Sequence, residues 1–181
     1  KNIIDFCGKP LLAWTIEHCL DGGVDSIYVS SDSDEILEVG EKYGAQSIKR
    51  PKGISVDSAT SESGWLHALK IIESESEIVD WVLAPQVTSP IRTSTDISKA
   101  IKIAEKGQFD SIFSVIEVED FFMWGNDPVE GLKSLNYDYN KRKRRQKIKK
   151  RYLENGSFYL FRTNILKNNA NRLGGKIYPL V

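Results

Sequence analysis

The sequence has very few of the residues that bind zinc or form disulfides. It contains two cysteines and two histidines among 181 residues. Cys7 and Cys19 form no CxxC pair, and no histidine recurs at ligand spacing, which argues against a zinc site and a disulfide framework. His18 and His67 each fall inside a helical pattern, so we expect structural or surface roles for both.

Several motifs and long apolar runs are also missing. No apolar run approaches the roughly 20 residues of a membrane span, and no signal peptide is visible, so we expect a cytoplasmic protein. The sequence has neither a GxGxxG after a strand nor a GxxxxGK[ST] segment, which excludes a dinucleotide fingerprint and a Walker loop. No Ser/His/Asp or Cys/His pattern supports a nucleophilic enzyme.

Positive charge is scarce except in one segment. Residues 141–151 carry nine of the 25 basic residues, which leaves 16 basic against 25 acidic residues elsewhere. Nucleic-acid binding usually spreads positive charge over a face that neutralises many phosphates. This concentrated run suits a small anionic ligand at least as well, because arginine offers a planar fork for carboxylate or phosphate. A nucleic-acid or import-receptor binding module that uses residues 141–151 is the alternative interpretation.

Helical and strand patterns alternate over much of the chain. The predicted helices are "KPLLAWTIEHCL", "SDEILEVGEKYG", "SGWLHALKIIES", "STDISKAIKIAEKG" and "TNILKNN", and the predicted strands are "SIYVSS", "AQSIK", "IVDWVLAPQVTSP", "DSIFSVIEV" and "GSFYLFR". This alternation indicates an α/β fold with a mainly parallel sheet, central at "WVLA", and helices on both faces. After Val118 the aromatic segment "EDFFMWGNDPVEGLKSLNYDYN" predicts an antiparallel excursion. We expect one domain, as a piece of a longer protein.

Polar segments follow several predicted strands, where open α/β sheets bind their ligands. These segments, "SSDSD", "KRPKG" and "APQVTSPIR", have side chains suited to sugars, bases and phosphates. Each also has an ordinary structural interpretation. "TSPIR" can be a strand-to-helix loop, and Asn155-Gly156 can be a turn before a strand. Asp32 and Asp34 can bind a metal or can cap the following helix.

Seven segments, taken together, resemble one enzyme family. They are "KN…GKPLLAWTIE", "VSSDSDEI", "KRP…DSATS", "QVTSPIR", "FDSIFSV", "KRKRRQ" and "ENGSFYLF". Their order and spacing are similar to those of the acylneuraminate cytidylyltransferases, the CMP-sialic acid synthetases, through most of the chain. Relatives that act on other nonulosonic acids share these segments, and CMP-Kdo synthetases share them more distantly.

The resemblance implies a fold, a reaction and partners. It implies a three-layer α/β/α sandwich of the nucleotide-diphospho-sugar transferase type over residues 1–181, with an antiparallel dimerisation extension at about 119–150. It implies that CTP and a sialic-type sugar acid give the CMP-sugar and pyrophosphate with Mg²⁺ bound to the phosphates. It also implies a homodimer or a dimer of dimers, and a nuclear address if the source is a vertebrate. A catalytically inactive family member is a further alternative.

The resemblance assigns roles to seven residues. Arg142 matches the catalytic arginine, and Arg145 and Gln146 match the pair that faces the sugar acid. The residues matched to nucleotide contacts or to the active-site glutamine are Asn2, Arg50, Ser61 and Gln86.

The chain also departs from the family pattern at several places. Ala59 stands where relatives often carry a nucleotide-binding serine, Lys143 replaces a common proline, and Pro85 is unusual before the glutamine. The family's R-G-G-S-K phosphate loop is expected before Lys1, and its I-D-x-D metal motif is expected after Val181. The sequence therefore identifies no metal ligand.

Overall fold

A computed structural model describes residues 1–119 and 122–181 of the chain. These residues form two compact units. The first unit comprises Lys1–Ser114 and Gly156–Leu180, and the second comprises Val115–Asn155 with Val181. No helix in the described ranges is both long enough and apolar enough to cross a membrane.

The elements follow the predicted alternation of helices and strands. The α-helices are α1 (Leu11–Asp21), α2 (Asp34–Lys42), α3 (Ser61–Ser74), α4 (Ser94–Glu105) and α5 (Thr163–Asn169). The strands are β1 (Asp5–Phe6), β2 (Lys9–Pro10), β3 (Tyr28–Ser31), β4 (Gln46–Lys49), β5 (Trp81–Pro85), β6 (Ser111–Val118), β7 (Trp124–Asp127), β8 (Gly131–Ser134), β9 (Arg151–Arg162) and β10 (Ile177–Leu180).

Local sequence explains where the central helices begin. The Thr60 side chain accepts a hydrogen bond from the Ser63 amide at the start of α3, and Thr93 forms a reciprocal capping box with Asp96 at the start of α4. Ser33 occupies the N-cap position of α2, but its side chain forms no capping bond. Asp34 and Glu35 lie in the first turn of α2, where carboxylates interact favourably with the helix dipole.

The described strands form a mixed arrangement. The four-stranded sheet has the order β10-β6-β9-β5, with β10 parallel to β6 and β5 antiparallel to β9. Strands β3 and β4 form a separate parallel pair, and β1 and β2 form a short antiparallel pair. The α/β class is confirmed. The strand predicted to be central, β5, lies instead at the end of this hydrogen-bonded order, because only β9 pairs with it among the described strands.

Strand β9 is covered by helices on both of its faces. Tyr159 and Phe161 pack with Leu69 of α3 and Leu166 of α5. The alternate residues Phe158 and Leu160 pack with Ala100 and Ala104 of α4 and with Ile112 of β6. Because successive side chains of a strand point to opposite faces, the uninterrupted apolar run "FYLF" fills both cores. A third cluster joins α1, α2 and β3 through Leu12, Ile16, Val29, Leu37 and Ala45.

The second unit contains the predicted antiparallel excursion. Strands β7 and β8 form a hairpin in which Trp124 pairs with Ser134 and Asp127 pairs with Gly131. The Asp127 side chain accepts hydrogen bonds from the amides of Val129 and Glu130 and so closes the turn. An aromatic cluster of Phe122, Trp124, Tyr137 and Tyr139 lies beside the hairpin. Asp120 and Phe121, which belong to the predicted aromatic segment, lie outside the described residues.

Candidate functional site

The first unit contains a cleft of about 810 Å³ whose wall includes both β3 and β5. We call it the β3/β5 cleft. Three of the residues to which the sequence assigns nucleotide contacts line it together, namely Asn2, Arg50 and Ser61. These residues are widely separated in the chain, so their convergence is a property of the fold.

Arg50 is held in place by the neighbouring strand. It follows β4, and its guanidinium donates to the backbone oxygen of Ser30 and, through Nε, to Ser30 Oγ at 3.2 Å. The facing residue of α3 is Gly64, where an added Cβ would lie 3.5–3.7 Å from the guanidinium atoms. The absence of a side chain at Gly64 therefore lets α3 pass close to Arg50.

The start of α3 is fixed by a second arginine. Ser61 is the first residue of this helix. The next residue, Glu62, accepts a hydrogen bond from Arg172 Nε at 2.7 Å, and the Arg172 guanidinium stacks on the rings of Trp65 and Tyr159, each at 4.8 Å. Partial burial raises the pKa of Glu62, but the bond from Arg172, a backbone hydrogen bond and the Arg172 charge together outweigh burial, so the pKa is lowered. This ion pair ties the Ser61 end of α3 to Arg172 beside the cleft.

Asn2 is anchored by the start of α1. The Leu12 amide donates to the Asn2 carbonyl at 2.8 Å, and the Leu11 amide donates to the Ile4 carbonyl at 2.9 Å. These amides belong to the first turn of α1, whose donors lack partners within the helix. The carbonyls of Asn2 and Ile4 thus satisfy the amides at the start of the helix, and the bond from Leu12 holds Asn2 at the cleft.

Gln86 follows β5 and packs against Gly156 of β9. The Gln86 amide donates to the Ser157 carbonyl at 2.9 Å. Gln86 Oε1 lies 3.1 Å from the position that a Cβ of Gly156 would occupy, and Gly156 has a φ of +66°. The motifs "QVTSP" and "ENGSFY" therefore meet in space. The turn interpretation of Asn155-Gly156 is wrong, because both residues lie within β9.

The loop after Gln86 is tied down by Arg92, to which the sequence analysis assigns no role. Arg92 is 6% exposed, and its guanidinium donates to Thr15, Gln86, Ser89 and Ser157. Burial lowers the pKa of Arg92 below its ordinary value, while the nearby Cys19 opposes this shift. Arg92 ends the quoted segment "QVTSPIR", but its burial and its four acceptors are visible only in the tertiary structure.

The basic segment 141–151 belongs to the second unit and is not one continuous helix. It contains the end of the 3-10 helix Tyr139–Lys141, the 3-10 helix Arg145–Lys147 and the start of β9. The Arg142 guanidinium lies over the Phe122 ring at 4.4 Å. Gln146 is exposed, and the side chain of Arg145 lies outside what the structure describes.

The described residues do not supply a complete site for a divalent metal. Within residues 1–119 and 122–181 no cluster of three or more histidine, cysteine, aspartate or glutamate side chains is arranged to hold an ion. Lys49 Nζ pairs with Asp34 Oδ1 and donates to the Asp32 carbonyl at 2.8 Å. The Asp34 carboxylate is therefore paired with a lysine ammonium.

Comparison with known protein families identifies the family of the chain. The profile of a protein family described as cytidylyltransferase matches residues 1–177. The chain belongs to the cytidylyltransferase family. This assignment confirms the resemblance seen in the sequence, and it makes the protein a nucleotidyltransferase.

Several relatives of this cytidylyltransferase carry specific names. It is 35% identical over 166 residues to a pseudaminic acid cytidylyltransferase from Campylobacter jejuni. The match covers 88% of this chain and 70% of that protein. It is 31% identical over 182 residues to N-acylneuraminate cytidylyltransferase A from Danio rerio, over 98% of this chain. The chain spans 41% of the length of the Danio rerio protein.

Solved structures with the same fold include another cytidylyltransferase. The chain is similar, with a TM-score of 0.66 and 15% identity, to a CMP:2-keto-3-deoxy-manno-octonic acid synthetase complexed with CTP. The match covers 97% of this chain and 72% of that chain. A 4-diphosphocytidyl-2C-methyl-D-erythritol synthase from Anaerococcus prevotii matches with a TM-score of 0.63. At these identities the likeness establishes the fold.

Proposed function

We propose that the protein activates a nonulosonic acid with CTP and releases the CMP-sugar and pyrophosphate. The observation that carries this proposal is the convergence of Asn2, Arg50 and Ser61 on the β3/β5 cleft of a cytidylyltransferase-family chain. The names of the relatives, which specify pseudaminic acid and N-acylneuraminate, support a sialic-type acid as the second substrate.

The reaction requires positioning and positive charge more than covalent chemistry. The anomeric hydroxyl oxygen of the sugar acid attacks the α-phosphorus of CTP, and the bond from that phosphorus to the bridging oxygen breaks. Pyrophosphate leaves, and the hydroxyl proton is lost. Holding the two reactants in line can supply much of the rate enhancement, and cations stabilise the negative charge that develops. Mg²⁺, where bound, neutralises the triphosphate.

The residues divide into three roles in this proposal. Asn2, Arg50 and Ser61, which line the β3/β5 cleft, bind the nucleotide. Gln86, which follows β5 and is not among the residues that line the cleft, is the fourth nucleotide-binding residue. Arg142 stabilises charge in the transition state. Arg145 and Gln146 bind the sugar acid, because a guanidinium matches the planar geometry of a carboxylate.

The direct test is an assay for pyrophosphate release by the full-length protein with Mg²⁺. We expect release with CTP and at least one acid from a panel of N-acetylneuraminic, deaminated neuraminic, legionaminic, pseudaminic and Kdo substrates. We expect no release when ATP or UTP replaces CTP. A folded protein that is silent across the panel would contradict the proposal and favour an inactive family member. Steeply salt-dependent binding to unrelated DNA or RNA would favour the nucleic-acid alternative.

We also propose that residues 1–181 act as one nucleotidyltransferase domain, a three-layer sandwich with a mainly parallel sheet. In this proposal the extension at about 119–150 joins two copies of the chain into a homodimer. Apolar side chains on the extension support it, because Met123, Trp124, Leu132 and Leu135 are 44–65% exposed. Exposed apolar clusters of this kind mark interaction surfaces.

Leu132→Asp is expected to dissociate this dimer. Leu132 is 65% exposed, so a carboxylate there leaves the monomer intact but destabilises an apolar interface by a buried charge. The measurement is molar mass by light scattering across a protein dilution series. Leu20→Asp is the matched control, because Leu20 is 48% exposed on α1, and we expect it to leave the mass unchanged. A Leu132→Asp protein that keeps the wild-type mass contradicts this interface.

A further inference from the structure

Arg92 is a buried cation, and the four hydrogen-bond acceptors that it has among the described residues are all neutral. Nε donates to Ser157 Oγ at 3.2 Å, and Nη1 donates to Thr15 Oγ1 at 3.3 Å. Nη2 donates to the Ser89 carbonyl at 2.7 Å and also to the Gln86 carbonyl. Burying a charge without a carboxylate partner is unfavourable for folding. A contribution to overall stability therefore does not account for an arginine at this position.

The four acceptors come from three parts of the first unit. Thr15 lies on α1, Ser157 lies on β9, and the two carbonyls lie in the loop formed by residues 86–89, which we call the Gln86 loop. Within the loop the Ser89 amide also donates to the Gln86 carbonyl at 3.1 Å. One guanidinium nitrogen thus bonds both ends of the Gln86 loop, and the other two bond the elements on which the loop rests.

These contacts fix the backbone of Gln86, from which its exposed side chain extends. The Gln86 amide donates to the Ser157 carbonyl at 2.9 Å, and Ser157 Oγ accepts from Arg92. The preceding residue, Gly156, leaves only 3.1 Å between Gln86 Oε1 and the position that a Cβ would occupy. A shift of the loop by a few tenths of an ångström would change where the amide group points.

We propose that Arg92 is a positioning residue that sets the Gln86 amide for cytidylyl transfer by bonding the Gln86 loop to α1 and β9. The inference rests on the proposed function, in which Gln86 contacts the nucleotide. Arg92 itself acts through Gln86 and touches neither substrate. Displacing a substrate-binding group by about 1 Å can lower the rate by about a hundredfold.

A double-mutant cycle with Gln86 separates positioning from a general structural role. Arg92→Met removes the donors but keeps an unbranched side chain of similar length. We expect it to lower kcat/KM for CTP by about ten- to hundredfold in the wild-type background. In the Gln86→Ala background the same change is expected to have less than about a twofold effect, because residues that act as a unit are not additive. Arg162→Met is the matched control, and we expect it to keep wild-type activity. Arg162 lies on β9, as Ser157 does, and its Nε pairs with Asp110 Oδ1 at 3.5 Å.

Amide hydrogen exchange in the unliganded protein supplies a second measurement that does not depend on turnover. We expect faster exchange at Gln86 and Ser89 in Arg92→Met than in Arg162→Met. If Arg92→Met does not fold, Arg92→Lys is used in the same cycle, because lysine keeps the charge but lacks the planar fork. The expected result is again a loss that disappears when Gln86 is alanine.

The outcomes distinguish this inference from the proposed function. Equal fold-losses for Arg92→Met in both backgrounds, or unchanged exchange of the Gln86 loop, would overturn the positioning role alone. A wild-type protein that releases no pyrophosphate with any acid on the panel would overturn the proposed function, and the positioning role with it. Wild-type activity in the Arg92→Met protein would also overturn the positioning role.

Discussion

Arg142→Ala is expected to lower kcat by about a hundredfold to a thousandfold while leaving the protein folded. Removing one preorganised donor to the charge that develops in a transition state has an effect of about this size. Arg142 is exposed, and its main contact is the Phe122 ring at 4.4 Å, so its loss should change the free energy of unfolding by less than about 0.5 kcal/mol. The measurement is steady-state pyrophosphate release at saturating CTP and sugar acid.

Lys143→Ala is the matched control for this prediction. Lys143 is also exposed, lies next to Arg142 in the basic segment, and loses the same unit of charge. We expect the Lys143→Ala protein to keep kcat close to the wild-type value, because the resemblance assigns no catalytic role to this position. Equal losses in both variants would indicate a general effect of charge. Full activity in Arg142→Ala would remove Arg142 from the mechanism.

Phe161→Ala is expected to destabilise the protein by about 3–5 kcal/mol, which is the usual effect of emptying an aromatic site in a core. Phe161 is 0% exposed, and its ring lies 5.6 Å from the ring of Trp65, centroid to centroid. Phe161 packs with Leu69 of α3 and Leu166 of α5. Neither helix can move into the vacated space without losing its other contacts with β9. The measurement is the free energy of unfolding from urea titration, compared with a total of about 5–15 kcal/mol for typical domains.

Tyr152→Ala makes the corresponding change on the same strand outside the core. Tyr152 is 45% exposed, so we expect its replacement to destabilise the protein by less than about 1 kcal/mol. Losses of similar size in the two variants would show that burial at Phe161 does not determine its contribution.

Much of the local structure follows from the sequence, but strand pairing does not. Helices α1 to α4 lie where the apolar period predicts them, and the apolar run at 158–161 correctly indicates a strand covered on both faces. The pairing of β5 with β9 joins residues such as Trp81 and Arg162 that are far apart in the chain. Periodicity reports which face of an element is apolar and carries no information about its neighbour.

The same distinction applies to the candidate site. The resemblance points to Asn2, Arg50 and Ser61, and the structure places them on one cleft. Asn155-Gly156 has the local signature of a turn, but the fold uses the positive φ of Gly156 inside a strand to make room for Gln86. Such a tertiary requirement outweighs local preference, and no single-sequence pattern encodes it.

The position of β9 in the sheet sets the order in which the chain can fold. The cluster of α1, α2 and β3 takes all of its buried residues from positions 12 to 45 and can form early. The four-stranded sheet needs β9 between β5 and β6, so it cannot close during synthesis until residue 162 has left the ribosome. Until then the apolar faces of α3, α4 and β5 lack their partner strand. The nascent chain is therefore most prone to aggregation, and most dependent on chaperones, during this interval.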